Sequence, residues 1–99
     1  MRPTAGVRYA VERFEDEGSV IVYRGFAHLP DADVPLAVRV EHDDTQGRTA
    51  VVAKIDDAGH VADGPAIERA AAALVKAAAR AARDAGRPLP RKIVRWRGP

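Results

Sequence analysis

The sequence predicts an α+β fold: a four- or five-stranded antiparallel meander with one long C-terminal helix packed on one face. Three observations predict it. Apolar residues alternate at period two through four runs between Val7 and Asp56, the spacing that puts them on one face of a strand. Short clusters of turn-forming residues separate the runs, which makes consecutive strands antiparallel neighbours. From Gly64 onward the period becomes helical, in a stretch dense in alanine, the best helix former.

The first run, Val7 to Phe14, sets Val7, Tyr9 and Val11 on one face. Glu15 to Gly18 turns the chain. The second run, Ser19 to His28, is apolar on both sides: Val20, Val22 and Phe26 share one parity, Ile21 and Tyr23 the other. Gly25 inside it predicts a bulge that resets the register. Leu29 to Asp33 connects to the third run, Val34 to His42, where Val34, Leu36, Val38 and Val40 share a face. Pro35 marks an edge or a strand beginning, because proline donates nothing to a ladder. After the turn Asp43 to Gly47, the fourth run, Arg48 to Asp56, sets Thr49, Val51, Ala53 and Ile55 against Ala50, Val52 and Lys54.

Asp57 to Asp63 reads as a loop. Pro65 then opens a helix at a position where its missing donor costs nothing. Ile67, Ala71, Leu74, Val75, Ala78 and Ala82 form its apolar stripe. Gly86 caps it and Pro88 stops it. Pro88-Leu89-Pro90 is a stiff linker, and Arg91 to Trp96 is either a short fifth strand or a tail held by Trp96, the lone tryptophan, which is expected to plug the core. Residues 1–99 form a single domain, in which the sheet takes residues 1–63, the helix 64–87, and an extended tail or short strand 88–99. In element order alone, four strands and then a helix resemble the Whirly and PUR folds that bind single-stranded nucleic acid; the resemblance carries no residue role.

Composition makes the core thin. Alanine supplies 20 of the 46 apolar residues, while Val, Leu, Ile and Phe together supply 22, just above the level of about 20% below which disorder becomes the better expectation. Self-association is a common remedy for a small core, so a homo-oligomer or protein partner is expected. With no Cys, disulfides, thiolate chemistry and Cys-ligated metal are excluded. No run approaches the roughly 18 apolar residues of a membrane span, and Met1 to Gly6 has no apolar leader segment. No membrane partner is expected and the location is expected to be cytoplasmic.

Charge is segregated. Residues 1–63 carry 7 basic and 12 acidic side chains, residues 64–99 carry 9 basic and 2 acidic. Arg69, Lys76, Arg80, Arg83 and Arg87 are spaced to share one side of a helix, over about 27 Å. Arg91, Lys92, Arg95 and Arg97 follow in the tail. One reading is a surface that tracks nucleic-acid phosphates. The other is a solvated helix face, with intramolecular pairing to the acidic sheet half and cations complementing the helix dipole. The chain has no Asn, and no Asn, Gln, Ser or Thr interrupts the stripe, so nucleic-acid binding here would be driven by the backbone rather than by base readout. Most of the aromatics, Tyr9, Phe14, Tyr23, Phe26 and Trp96, sit at parities expected for the core.

Enzymatic and metal signatures are weak. His28, His42 and His60 have no ligand-type spacing, and in a meander His28 and His42 lie about 20 Å apart; His28 and His60 would fall at the same end, as two surface histidines. Glu15, Asp16, Glu17, Asp43 and Asp44 gather at one end of the sheet without the spacing of a calcium loop and read as turn caps. Ser19 is the only serine and lacks a nucleophile context. No catalytic residue, metal or cofactor is expected. The expectation is a small non-enzymatic interaction module that self-associates, with backbone-driven nucleic-acid binding as the alternative.

Overall fold

The computed structural model describes residues 5–43, 45–55 and 64–98. The expected 57–63 loop, Asp44 and His60 lie outside the described residues. Strands β1 (Val7–Asp16), β2 (Val20–His28), β3 (Asp33–Asp43) and β4 (Arg48–Ile55) lead to helix α1 (Gly64–Asp84) and a fifth strand, β5 (Lys92–Arg97). All pairings are antiparallel, in the order β4-β3-β2-β1-β5. The α+β meander with one C-terminal helix is therefore the architecture, and the last segment is a strand, added to the far edge beside β1.

Register decides which side of each strand faces α1. Val11 pairs with Gly25 and Ile93; Tyr23 pairs with Val38, and Val38 with Ala53. These residues share one face, and all but Gly25 join Tyr9, Ile21, Ala27, Val34, Leu36, Val40 and Ile55 in the sheet's half of the core. The helix contributes Ile67, Ala71, Leu74, Val75, Ala78 and Ala79; Ala82 is only half-buried. Alternation of apolar and polar residues in β3 and the helical stripe both translate directly into burial.

The helix packs mainly on β4, and also meets β3 and β5. The two outermost strands of a flat five-stranded sheet would stand about 19 Å apart, against a helix diameter of about 10 Å. Contact with both edges thus requires the sheet to curl around the helix, and the hollow of the curl is filled by the rings of Tyr9 and Tyr23. Two side-chain bonds fix α1 antiparallel to β4. Near the helix start Glu68 Oε2 accepts the Ile55 amide at 2.9 Å; near its end Arg83 Nη2 donates to Thr49 Oγ1 at 2.8 Å.

The helix ends at Asp84 rather than 87, because Gly86 takes φ 67°. The Arg87 amide then bonds the Ala82 carbonyl and the Gly86 amide the Arg83 carbonyl, the paired 6→1 and 5→2 bonds that end a helix at a left-handed residue. The linker that follows is strapped across the end of the curl. Tyr23 Oη donates to the Pro90 carbonyl, Arg13 Nη1 donates to Leu89 O at 3.3 Å, and the Arg13 amide donates to Arg91 O at 2.7 Å. Pro35 lies near the start of β3, just before pairing with β4 begins at Leu36.

Three expectations are corrected. The bulge lies in β1, where register shifts between Arg13 and Glu15, and β2 pairs through Gly25 without interruption; Gly25 serves a close approach of β1 and β2 instead. Trp96 does not plug the core: β5 meets β1 with Ile93 opposite Val11, so Ile93 is buried and Trp96 stands 55% exposed on the opposite face. Of the aromatics only Tyr9 and Tyr23 are core; Phe14 and Phe26 are also exposed.

Candidate functional site

Two surfaces gather the chemistry-bearing side chains: the solvent side of α1 and the sheet face turned away from it. On α1, Arg69, Lys76, Arg80 and Arg83 are all exposed, so the arginines point outward from the apolar stripe that covers the sheet. They span about 21 Å at the helical rise, shorter than expected because Arg87, also exposed, falls beyond the cap. Arg95 and Arg97 share the parity of Ile93, on the helix side of the sheet edge, and Arg91 is exposed just before β5 begins. Lys92 shares the parity of Trp96 and stands on the other face, apart from the rest.

Ion pairs among the described residues are Arg13–Asp16 at 3.7 Å and Arg39–Glu41 at 2.7 Å, and His28 Nδ1 lies 2.8 Å from Asp33 Oδ1. None takes a cation of the helix or tail. Two of the turn carboxylates cap their own turns: Asp16 Oδ1 accepts the Gly18 amide and Asp43 Oδ1 the Thr45 amide, both at 2.9 Å. Lys76 and Arg80 are four residues apart, Arg80 and Arg83 three. Each such like-charge pair costs about 0.2–0.5 kcal/mol, a cost that an anion would relieve.

At the far end of the helix these cations meet β4. Arg48 joins Lys76, Arg80 and Arg83 around a polar cleft of about 450 Å³. Thr49 Oγ1, which accepts from Arg83, also lies 2.9 Å from His42 Nδ1. The hydroxyl's own proton can point at that nitrogen, an arrangement that suits an imidazole protonated at Nε2. Arg48 and Thr49 do not belong to the stripe in the sequence, since only the antiparallel packing of α1 on β4 brings them to it.

The outer sheet face carries the exposed aromatics. Pro35, Phe26, Ala10 and Val94 pair in one row across β3, β2, β1 and β5, with Trp96 in the next row opposite Arg8. The Arg8 guanidinium lies 5.8 Å from the Trp96 ring centre and that of Arg24 lies 4.6 Å from Phe14; Phe26 stacks on His28 at 5.7 Å. The one sequence signal for this surface is that β2 is apolar on both parities, which a strand with only one covered face does not need.

No family model, curated protein or solved structure matches this chain. The two surfaces themselves carry the functional reading. Among the described residues no group of three or more His, Cys, Asp or Glu is placed to hold a metal, and no described helix is long and apolar enough to cross a membrane.

Proposed function

We propose that this chain is a small non-enzymatic interaction module that self-associates through the outer face of its sheet. The observation that carries the reading is the uncovered row Pro35, Phe26, Ala10 and Val94, flanked by Trp96, with Phe26 44% and Trp96 55% exposed. Charge on this face is of both signs: Glu12 sits in register between Arg24 and Lys92, and Arg39 pairs with Glu41. An apolar row flanked by charges of both signs suits a second copy of itself. Association edge to edge is disfavoured, because half of β5 is Lys92, Arg95 and Arg97 and basic edges repel one another.

Burying Phe26 and Trp96 on each of two chains contributes about 1.5–3 kcal/mol per side chain, against an association cost of about 4–15 kcal/mol. The outcome is a weak dimer, in the micromolar range or above. Sedimentation velocity from low to several hundred micromolar is expected to show a monomer–dimer equilibrium, with Trp96 emission moving to the blue as concentration rises. Phe26→Asp is expected to hold the chain monomeric with red, quencher-accessible emission. A wild-type protein monomeric throughout that range removes the reading.

A second reading is favoured by a separate observation, the exposed cations of α1, which none of the ion pairs among the described residues takes. Backbone-driven nucleic-acid binding would use Arg69, Lys76, Arg80, Arg83 and Arg87, with Arg95 and Arg97 on the same side of the sheet and Arg91 just before them. Neutralising four or five duplex phosphates gives a slope of log affinity against log salt of about −4. Retention on an oligonucleotide at low salt, with that steepness, is the expected result; no retention at low salt eliminates it.

A further inference from the structure

Arg83 divides the space between the last turns of α1 and the start of β4 into two unlike halves. On one side is the polar cleft, where Arg48, Lys76, Arg80 and Arg83 face a single carboxylate, Asp84. On the other is a cleft of about 230 Å³ whose walls are Val40, Ala79, Ala82 and Leu89, with His42, Thr49 and Arg87 among its lining. Arg83 lines both. Its guanidinium is held in place by Thr49 Oγ1 at 2.8 Å, so some of the ordering cost of gripping a ligand is met before the ligand arrives.

We propose that this double cleft binds a small phosphomonoester bearing one compact apolar group, with the phosphate among Arg48, Lys76, Arg80 and Arg83 and the apolar group against Val40, Ala79, Ala82 and Leu89. A phosphomonoester carries close to two negative charges at neutral pH and three acceptor oxygens. Guanidinium forks match those oxygens in pairs. The apolar half sets the size of the ligand's other end. An enclosed apolar cavity of about 150 Å³ admits benzene, so this cleft has room for one ring or a short branched chain. Inorganic phosphate would use the polar half alone, and a nucleic-acid strand would use the cations and leave the apolar half empty. The site lies where the end of α1 meets the start of the edge strand β4, away from the Phe26 and Trp96 row, and does not rest on the self-association reading.

The test is an amide-resolved NMR titration of the full chain with phenyl phosphate, inorganic phosphate and a short thymidine oligonucleotide. Phenyl phosphate is expected to shift amides around 47–49, 79–84 and 89, and to bind about tenfold tighter than inorganic phosphate, as partial burial of a ring implies. Ala82→Leu, which fills the half-buried wall, is expected to bring phenyl phosphate down to the affinity of inorganic phosphate and to leave the latter and the oligonucleotide unchanged. Arg83→Gln, on an exposed position, is expected to weaken both phosphates. Equal wild-type affinity for phenyl and inorganic phosphate overturns the proposal. So do shifts that spread along the helix to Arg69 rather than gathering at the two clefts, and so does undiminished phenyl phosphate binding by Arg83→Gln.

Discussion

Gly25→Val is expected to cost the domain about 3 kcal/mol or more, at the upper end of what overpacking does. Gly25 pairs with Val11 on one side and Leu36 on the other. A Cβ at this position would stand 2.7 Å from Val11 Cα and collide with the Ala10 carbonyl oxygen. Both obstacles are backbone, which cannot step aside as a flexible side chain would. The valine therefore has to push β1 away from β2, and that strains the centre of the curl. A domain of this size has a total stability of about 5–15 kcal/mol and loses about 4–8 °C of Tm per kcal/mol, so the midpoint of a circular dichroism melt is expected to drop by more than ten degrees. Gly18→Ala is the informative control. Gly18 has open space around it but φ 82°, so its replacement costs only the backbone preference, about 1 kcal/mol. Equal melting of Gly25→Val and wild type would show that the two strands do not approach this closely.

Tyr23→Ala is expected to cost about 3–5 kcal/mol, the range for emptying a fully buried aromatic site. The ring is 0% exposed in the hollow of the sheet, and its hydroxyl latches the linker at the Pro90 carbonyl. Tyr23→Phe separates the two roles. It keeps the ring and removes the latch, for about 1 kcal/mol, and is expected to raise proteolytic cleavage within 87–91 more than global stability falls. The same pair of tyrosines sets the alkaline limit. Burial raises the pKa of Tyr9, with Arg97 pulling it back; burial also raises that of Tyr23, opposed by Arg13 and helped by Asp16. A folded-state pKa above the unfolded value of 10.0 means that the native state holds its phenolic protons longer. Their contribution is complete below pH 10 and is lost as pH climbs through the raised folded values. Urea midpoints are expected to stay level up to about pH 10, as far as the tyrosines are concerned, and then to fall, less steeply in Tyr23→Phe. A midpoint that rises above that pH would contradict the burial of both rings.

Legibility differs from element to element, for physical reasons. β3 is unambiguous in the sequence because its large aliphatic residues, Val34, Leu36, Val38 and Val40, occupy one parity, and α1 because its stripe, its cap at Gly86 and its alanine content agree. β2 is not, since both parities are apolar, and only pairing with β1 and β3 shows that Ile21, Tyr23 and Ala27 face the helix. The basic stripe is visible as spacing along one helix. Its partners Arg48 and Thr49 are not, because they are more than twenty residues away in sequence from the helix residues they join.

The local pattern of the chain thus determined what is local: strand and helix periods, the turns, the helix stop, and the outward set of Arg69, Lys76, Arg80 and Arg83. Those features depend on neighbours a few residues apart, which any short window of sequence contains. Tertiary structure alone decided the face given to each side of β2, the seat of the fifth strand beside β1, the exposure of Trp96 and the joining of Arg83 to Thr49 and Arg48. Each of these is set by register between distant segments, and a shift of one residue in a strand turns every side chain to the opposite face.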